Sequence, residues 1–249
     1  MTAHANEAAP APRALVFGAT GAIGSAIAAR FAGQGWQVSA VSRGGGRDDF
    51  DPVRDAVRAV AYDPFAATAA GDAALLEGGP YTSVVWAQGA NSSDNVHNVD
   101  LDAHMALYQA NCLYILATLK FLLDRKALAP GARLCVISSI WQNLARQDKL
   151  SYCMSKAALQ GLVLSASADL AKQGMLINAI LPGALDTPMT RKNVAPAQLD
   201  KLSGATYFDK LPALEDVSQL ALFLCSSQNT GITGQFIAAD LGFSHVRLL

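Results

Sequence analysis

The chain has 249 residues, of which 51% are hydrophobic and 16% charged, with 19 basic against 20 acidic side chains and a net charge of −1. Such a composition can bury a large two-sided core and excludes a disordered chain. The balanced charge supplies no bulk field for nucleic acid or an anionic membrane, so neither is expected as a partner. Met1–Pro12 is Ala- and Pro-rich without a basic or apolar signal-like region and reads as a short disordered leader. No uninterrupted apolar run approaches the roughly 18 residues of a membrane span, so none is expected and the cytoplasm is the expected location.

From Arg13 onward, strand-like apolar runs alternate with helical patterns. The first run, Ala14–Phe17, enters the turn Gly18-Ala19-Thr20-Gly21-Ala22-Ile23-Gly24, and Ala22–Ala32 has helical periodicity stopped by Gly33 and Gly35. Further strands are expected at Trp36–Ser42, Ala59–Tyr62, Ser83–Trp86, Arg133–Ile137, Met175–Leu181 and Gln235–Ala239. Helices are expected at Ala66–Leu76, Leu101–Leu128, Ser151–Gln173 and Asp216–Ser226. Continuous apolar strands alternating with helices predict one α/β domain over 13–249, a doubly wound parallel sheet of about seven strands with helices on both faces. Two stretches lack periodicity, Gly44–Arg54 and Asp186–Lys210. The second lies beyond the sixth strand, where open sheets bind ligands, and reads as a substrate lid.

Glycines in the first turn let backbone amides approach a pyrophosphate at a helix N-terminus. Which dinucleotide binds is read at the end of the second strand, about 20 residues past the last of these glycines, where an acidic residue would hold a ribose 2′-hydroxyl. Ser42 and Arg43 stand there instead. A hydroxyl and a charged fork suit a 2′-phosphate, with Arg47 as a second contact, so NADP(H) is favoured. Asp48 and Asp49 keep NAD(H) as the alternative. Tyr152 and Lys156, at i and i+4, share a helix face, and a cation beside a phenol lowers its pKa toward that of a working acid–base. Ser139, ending the fifth strand at the sheet's carboxyl edge, could bond a substrate oxygen. Cys112, Cys135, Cys153 and Cys225 read as reduced core thiols, and His97, His104 and His245 lack metal-site spacing, so no metal is expected.

Together these motifs resemble the short-chain dehydrogenase/reductase family, in its compact branch of about this length, and the similarity runs from Arg13 to the C-terminus. The resemblance implies a Rossmann-type fold and carbonyl–alcohol hydride transfer. It implies that Tyr152 is the acid–base, that Lys156 lowers its pKa and holds the nicotinamide ribose, that Ser139 orients the substrate oxygen, and that Asn111 holds a relay water. It also implies a cofactor set of Gly18, Thr20, Gly21, Ala22, Ile23, Gly24, Ser42, Arg43, the adenine-contacting Asp63, Ala87, Gln88, Gly89, Tyr152 and Lys156. Pro182, Gly183, Leu185 and Thr187 complete that set, from the segment Asn178–Thr187. Glu215-Asp216-Val217, Thr233-Gly234-Gln235 and Asp240 fit the family's last helix and strand. Relatives commonly assemble as tetramers through the two long helices, so a homotetramer or dimer is expected.

Three departures from the family's pattern stand out, the last two bearing on the substrate. The glycine spacing is that of the family's extended members. Trp86-Ala87-Gln88-Gly89 replaces an Asn-Asn-Ala-Gly segment, requiring another local network. The loop from Trp141 to Lys149 is polar, and Gln88, Ser139, Trp141, Gln142 and Arg146 are candidate contacts to a hydroxylated or anionic small molecule. A 3-oxoacyl-thioester reductase is the alternative enzyme, for which Arg146, Lys149, Arg191 and Lys192 would form a basic patch. A non-catalytic dinucleotide-binding sensor or scaffold is the alternative of another class.

Overall fold

A computed structural model describes residues 10–44, 57–187, 190–191 and 195–245. Seven parallel strands form one sheet in the order β3-β2-β1-β4-β5-β6-β7. They are β1 (Arg13–Phe17), β2 (Gln37–Ser42), β3 (Val57–Ala61), β4 (Tyr81–Trp86), β5 (Leu128–Ile137), β6 (Leu176–Pro182) and β7 (Phe236–Ala239). The order reverses between β1 and β4, which opens a crevice at their carboxyl ends.

Both faces of the sheet are buried, which explains the continuous apolar strands. Successive β1 residues alternate: Leu15 and Phe17 pack with Trp86, Ile115, Leu134 and Leu159, while Ala14 and Val16 pack with Ile27, Phe31, Val85 and Val217. The first face lies under α3 (Leu101–Tyr108), α4 (Tyr114–Asp124) and α5 (Leu150–Leu170). The second lies under α1 (Ala22–Ala32) and a helix at Leu214–Cys225, here called α7. α2 (Ala69–Glu77) links β3 to β4, with Thr68 capping its N-terminus.

Three expectations are corrected. The continuous helix over Leu101–Leu128 is broken by a π-turn at Gln109–Leu113 and ends at Asp124, and Lys126 then takes a left-handed φ of 53°. Leu128 belongs instead to β5, which starts before Arg133. Pro130 and Gly131, at φ 70°, lie where the β4–β5 register shifts, so an early strand segment was hidden behind turn-like residues. The run Leu101–Asp124, of 24 residues with mean hydropathy 1.3, is long and apolar enough for a membrane span by length and composition, although Asp102, Gln109, Asn111 and Lys120 interrupt it; 44% of that window is buried in this fold. Finally, Asp186–Lys210 is not structureless: Pro196–Gly204 forms helix α6, with proline in its first turn. Met1–Ala9, Gly45–Ala56 (with Arg47, Asp48 and Asp49) and Lys192 lie outside the described residues.

Candidate active site

The turn after β1 is held by its glycines. Gly18 has φ +73°, and a Cβ there would meet the backbone nitrogen of Gln88 at 2.5 Å. A Cβ on buried Gly24 would meet the Gly18 carbonyl oxygen at 2.2 Å. Only glycine therefore lets β1, β4 and α1 approach this closely. Gly21 is the N-cap of α1 with no side-chain cap, which leaves the first turn suited to an anion. Ala22 is exposed there, while Ile23 packs toward the α1 face of the core.

A cleft of about 700 Å³ opens at the switch point, lined by Gly18, Thr20, Gly21, Ser42, Arg43 and Asp63 from the β1–β3 side. Ala87, Gln88 and Gly89 after β4 line its other side, as do Leu107, Gln109 and Ala110 from the interrupted helix. This brings together the pyrophosphate turn, the pair expected to select the cofactor and the expected adenine contact. The sequence reading missed Phe65, whose ring is 46% exposed in this cleft and meets Tyr114 edge-on at 6.4 Å. Its amide donates to Asp63 Oδ1 at 3.0 Å, so Asp63 orients it; an aromatic two residues after that aspartate was the available signal.

The Trp86–Gly89 replacement has its own network. The Trp86 indole N–H donates to Thr118 Oγ1 at 2.8 Å, and Thr118 in turn donates to the Tyr114 carbonyl. The Trp86 ring stacks parallel to Phe17 with centroids 6.0 Å apart. Both amide atoms of Gln88 are buried without a hydrogen-bond partner among the described residues, an unmet demand at the floor of the cleft. The glycine cradle, the cationic end and this amide all fit a dinucleotide. Thr20, Gly21, Ser42, Arg43, Asp63 and Gln88 would hold it.

At the far end, a Cβ on Gly89 would lie 3.1 Å from Asn111 Oδ1 and 3.6 Å from Lys156 Nζ. Asn111 sits in the π-turn, and its amide donates to the Ala90 carbonyl and to Ser155 Oγ while its oxygen accepts from Ala90 N–H at 2.7 Å. Both amide hydrogens of Asn111 are thereby engaged, and the side chain fixes the 89–90 backbone. Ser139 is near enough to Tyr152 to favour its ionised form, and Lys156 Nζ lies 5.8 Å from the Tyr152 ring centre, donating to the Ile137 carbonyl at 3.1 Å. Ser139, Tyr152, Lys156 and Asn111 thus converge beyond the carboxyl end of β5.

The electrostatics differ from the expected phenol–ammonium pairing. Burial pushes Tyr152 up, opposed by the Ser139 hydroxyl and the Arg146 charge. Burial also drives Lys156 down to about 8. Desolvation outweighs mutual attraction because the ammonium turns toward Ile137 rather than the phenol.

Other expected contacts fall elsewhere. Pro182, Gly183, Leu185 and Thr187 do not line the cleft. Gly183 is pressed against Asp240, whose Cβ a side chain would meet at 2.9 Å, and Leu185 packs in the core under α1 and α7. Thr187 Oγ1 accepts from the Thr190 amide at 3.1 Å. Gln142 is buried, accepting from Ser138 Oγ at 2.7 Å, so its side chain supports β5 instead of facing a substrate. Trp141 is half-buried, with Arg146 over its ring. Cys112, Cys135 and Cys225 are buried and Cys153 half-buried, all as free thiols.

Residues 18–244 match a family model described as enoyl-(acyl carrier protein) reductase. Over 242 residues the chain is 28% identical to a cis-4-hydroxycyclohexanecarboxylate dehydrogenase of Sinomonas cyclohexanicum, covering 94% of this chain and 96% of that one. It is 36% identical over 106 residues to a dog (3R)-3-hydroxyacyl-CoA dehydrogenase, a stretch spanning 43% of this chain and 40% of the relative. In fold it is similar to the ligand-free aldohexose dehydrogenase of Thermoplasma acidophilum, with a TM-score of 0.83, 22% identity and 96% coverage of both chains. The fold and site define a nicotinamide-dinucleotide oxidoreductase of Rossmann type. The chain belongs to the short-chain dehydrogenase/reductase family, whose members act on alcohol and carbonyl groups.

Proposed function

We propose that this chain is an NADP(H)-dependent oxidoreductase interconverting a carbonyl and a secondary alcohol on a polar or hydroxylated small molecule. The observation that carries it is one continuous surface. It runs from Ser42 and Arg43, through the glycine turn, to Gly89 above Lys156 and Asn111. At the β2 end the cation Arg43 supports a 2′-phosphate, and Asp63 is partly engaged by the Phe65 amide. The bound dinucleotide supplies or accepts the hydride. During reduction Tyr152 Oη gives its proton to the carbonyl oxygen, and during oxidation it takes the alcohol's proton. Ser139 holds that oxygen against Tyr152. Lys156 carries positive charge under the site, and Asn111 fixes the Ala90 backbone that floors it. The hydroxy acid named for the Sinomonas relative supports a polar substrate.

The family description and the dog relative would favour an acyl-thioester substrate. Of the basic patch such a carrier would need, Arg191 is held by both oxygens of Asp186 at 2.6 Å, and Lys149 is spent on the 91–93 loop. This favours the polar small molecule. As expected of the family, we also propose self-association, supported by Leu113 and Leu116 of the 101–124 run and Met154 and Leu164 of α5, all exposed. NADPH oxidation against a panel of ketones, 3-oxoacyl thioesters included, tests the reading, with Tyr152→Phe as control. Binding without turnover by any of them, unchanged in Tyr152→Phe, leaves a non-catalytic binding module. Equal NADPH and NADH affinities in wild type, unaltered by Arg43→Ala, would remove the 2′-phosphate argument.

A further inference from the structure

The polar loop between Ser139 and α5 carries a cation without a counter-ion. Ser139 Oγ accepts the Trp141 amide at 3.3 Å, so the indole starts where the substrate oxygen is held. Trp141 packs edge-on against Phe243 at 6.0 Å, which fixes its ring. Over that ring, 5.6 Å from its centre, lies the guanidinium of Arg146.

Arg146 is only partly exposed, and among the described residues it has no ion pair and no hydrogen bond. The neighbouring charges are committed. Lys149 Nζ donates to Asn91 Oδ1, Ser92 O and Ser93 Oγ, which uses all three hydrogens. Asp94 accepts from the Ser151 amide, and Asp148 accepts from Asn95 Nδ2. Two acids near in sequence thus leave the guanidinium unpaired, while it sits over an indole 5.6 Å from the ring centre. Its charge also favours ionised Tyr152. A planar fork held in this way matches the two oxygens of a carboxylate better than one hydroxyl.

We propose that Arg146, seated on Trp141, binds the carboxylate of the substrate, so that the substrates are hydroxy acids and the matching oxo acids. This rests on the oxidoreductase reading above and narrows its substrate class. The carboxylate is not consumed; it anchors the molecule while the carbonyl lies between Ser139 and Tyr152.

The test compares acetoacetate, levulinate and 5-oxohexanoate, each with its methyl ester, in NADPH oxidation. In parallel, binding of each acid and ester to the NADP-loaded protein is measured by calorimetry. A charge-assisted pair removed from water gives a preference of roughly 10- to 100-fold for at least one acid over its ester. In Arg146→Gln that preference falls to about 1 through a higher KM for the acid, and Arg146→Lys restores part of it. Retained NADPH affinity in each variant shows that the fold persists. An acid and ester treated alike in both assays by wild type overturns the proposal, as does a preference that survives Arg146→Gln. Wild type that fails to bind NADPH sinks the oxidoreductase reading instead. Binding without turnover still decides Arg146 through calorimetry.

Discussion

Lys156 should make the folded protein less stable at neutral pH than it would be without the charge. The side chain is 5% exposed, and burial lowers its pKa from 10.5 to about 8. That displacement corresponds to roughly 3 kcal/mol of penalty against folding at pH 7. The folded value lies below the unfolded one, so between about 8 and 10.5 the unfolded chain holds the extra proton, and raising the pH stabilises the fold. The penalty is complete below pH 8 and gone above 10.5. Lys156→Met removes the charge while leaving the Ile137 carbonyl without its 3.1 Å donor, at about 1–2 kcal/mol. The variant should therefore be more stable than wild type at pH 7 by about 1–2 kcal/mol and less stable at pH 10. Urea midpoints of both proteins at the two pH values measure this, since other titrating groups cancel in the difference. A stability difference independent of pH would refute the claim that a desolvated ammonium is held here. Turnover should be lost in the same variant, which makes the cation a functional group retained against folding stability.

Gly18→Ala must place a methyl 2.5 Å from the Gln88 nitrogen in a left-handed backbone. The backbone alone costs on the order of 1–2 kcal/mol, and separating β1 from the 87–89 turn should also abolish NADPH binding, as read by nicotinamide fluorescence. Unchanged affinity would show that the turn does not need this approach. Thr118→Val leaves the buried Trp86 N–H unpaired and should cost about 1–3 kcal/mol in urea unfolding, whereas Thr118→Ser should be close to wild type. Equal losses in both would assign the effect to packing instead of the hydrogen bond.

Features set by neighbouring residues were legible in the sequence. The apolar β1 run entering Gly18–Gly24, the alternation of strands with helices, and Tyr152 and Lys156 on one helix face all depend on local periodicity and backbone geometry. The failures share a cause as well. Leu101–Leu128 reads as one helix because periodicity is blind to a π-turn, and turn-forming Pro130 and Gly131 conceal the start of β5. A sequence pattern reports that a side chain is buried or polar but not which group faces it. Gln142 was an equally good substrate contact until β5 placed Ser138 against it. The Ala90 and Ser155 partners of Asn111 are set only when the loop after β4 and α5 come beside the π-turn. Phe65 enters the cleft only because β3 lies beside β2, and Arg146 gains meaning only because Trp141 is braced by Phe243 from the far end of the chain. The sequence by itself determined the chemistry available to this protein, since residue types and local spacing are enough for that. The tertiary structure decided which charges are spent and which remain, because contacts between distant segments set solvation and pairing.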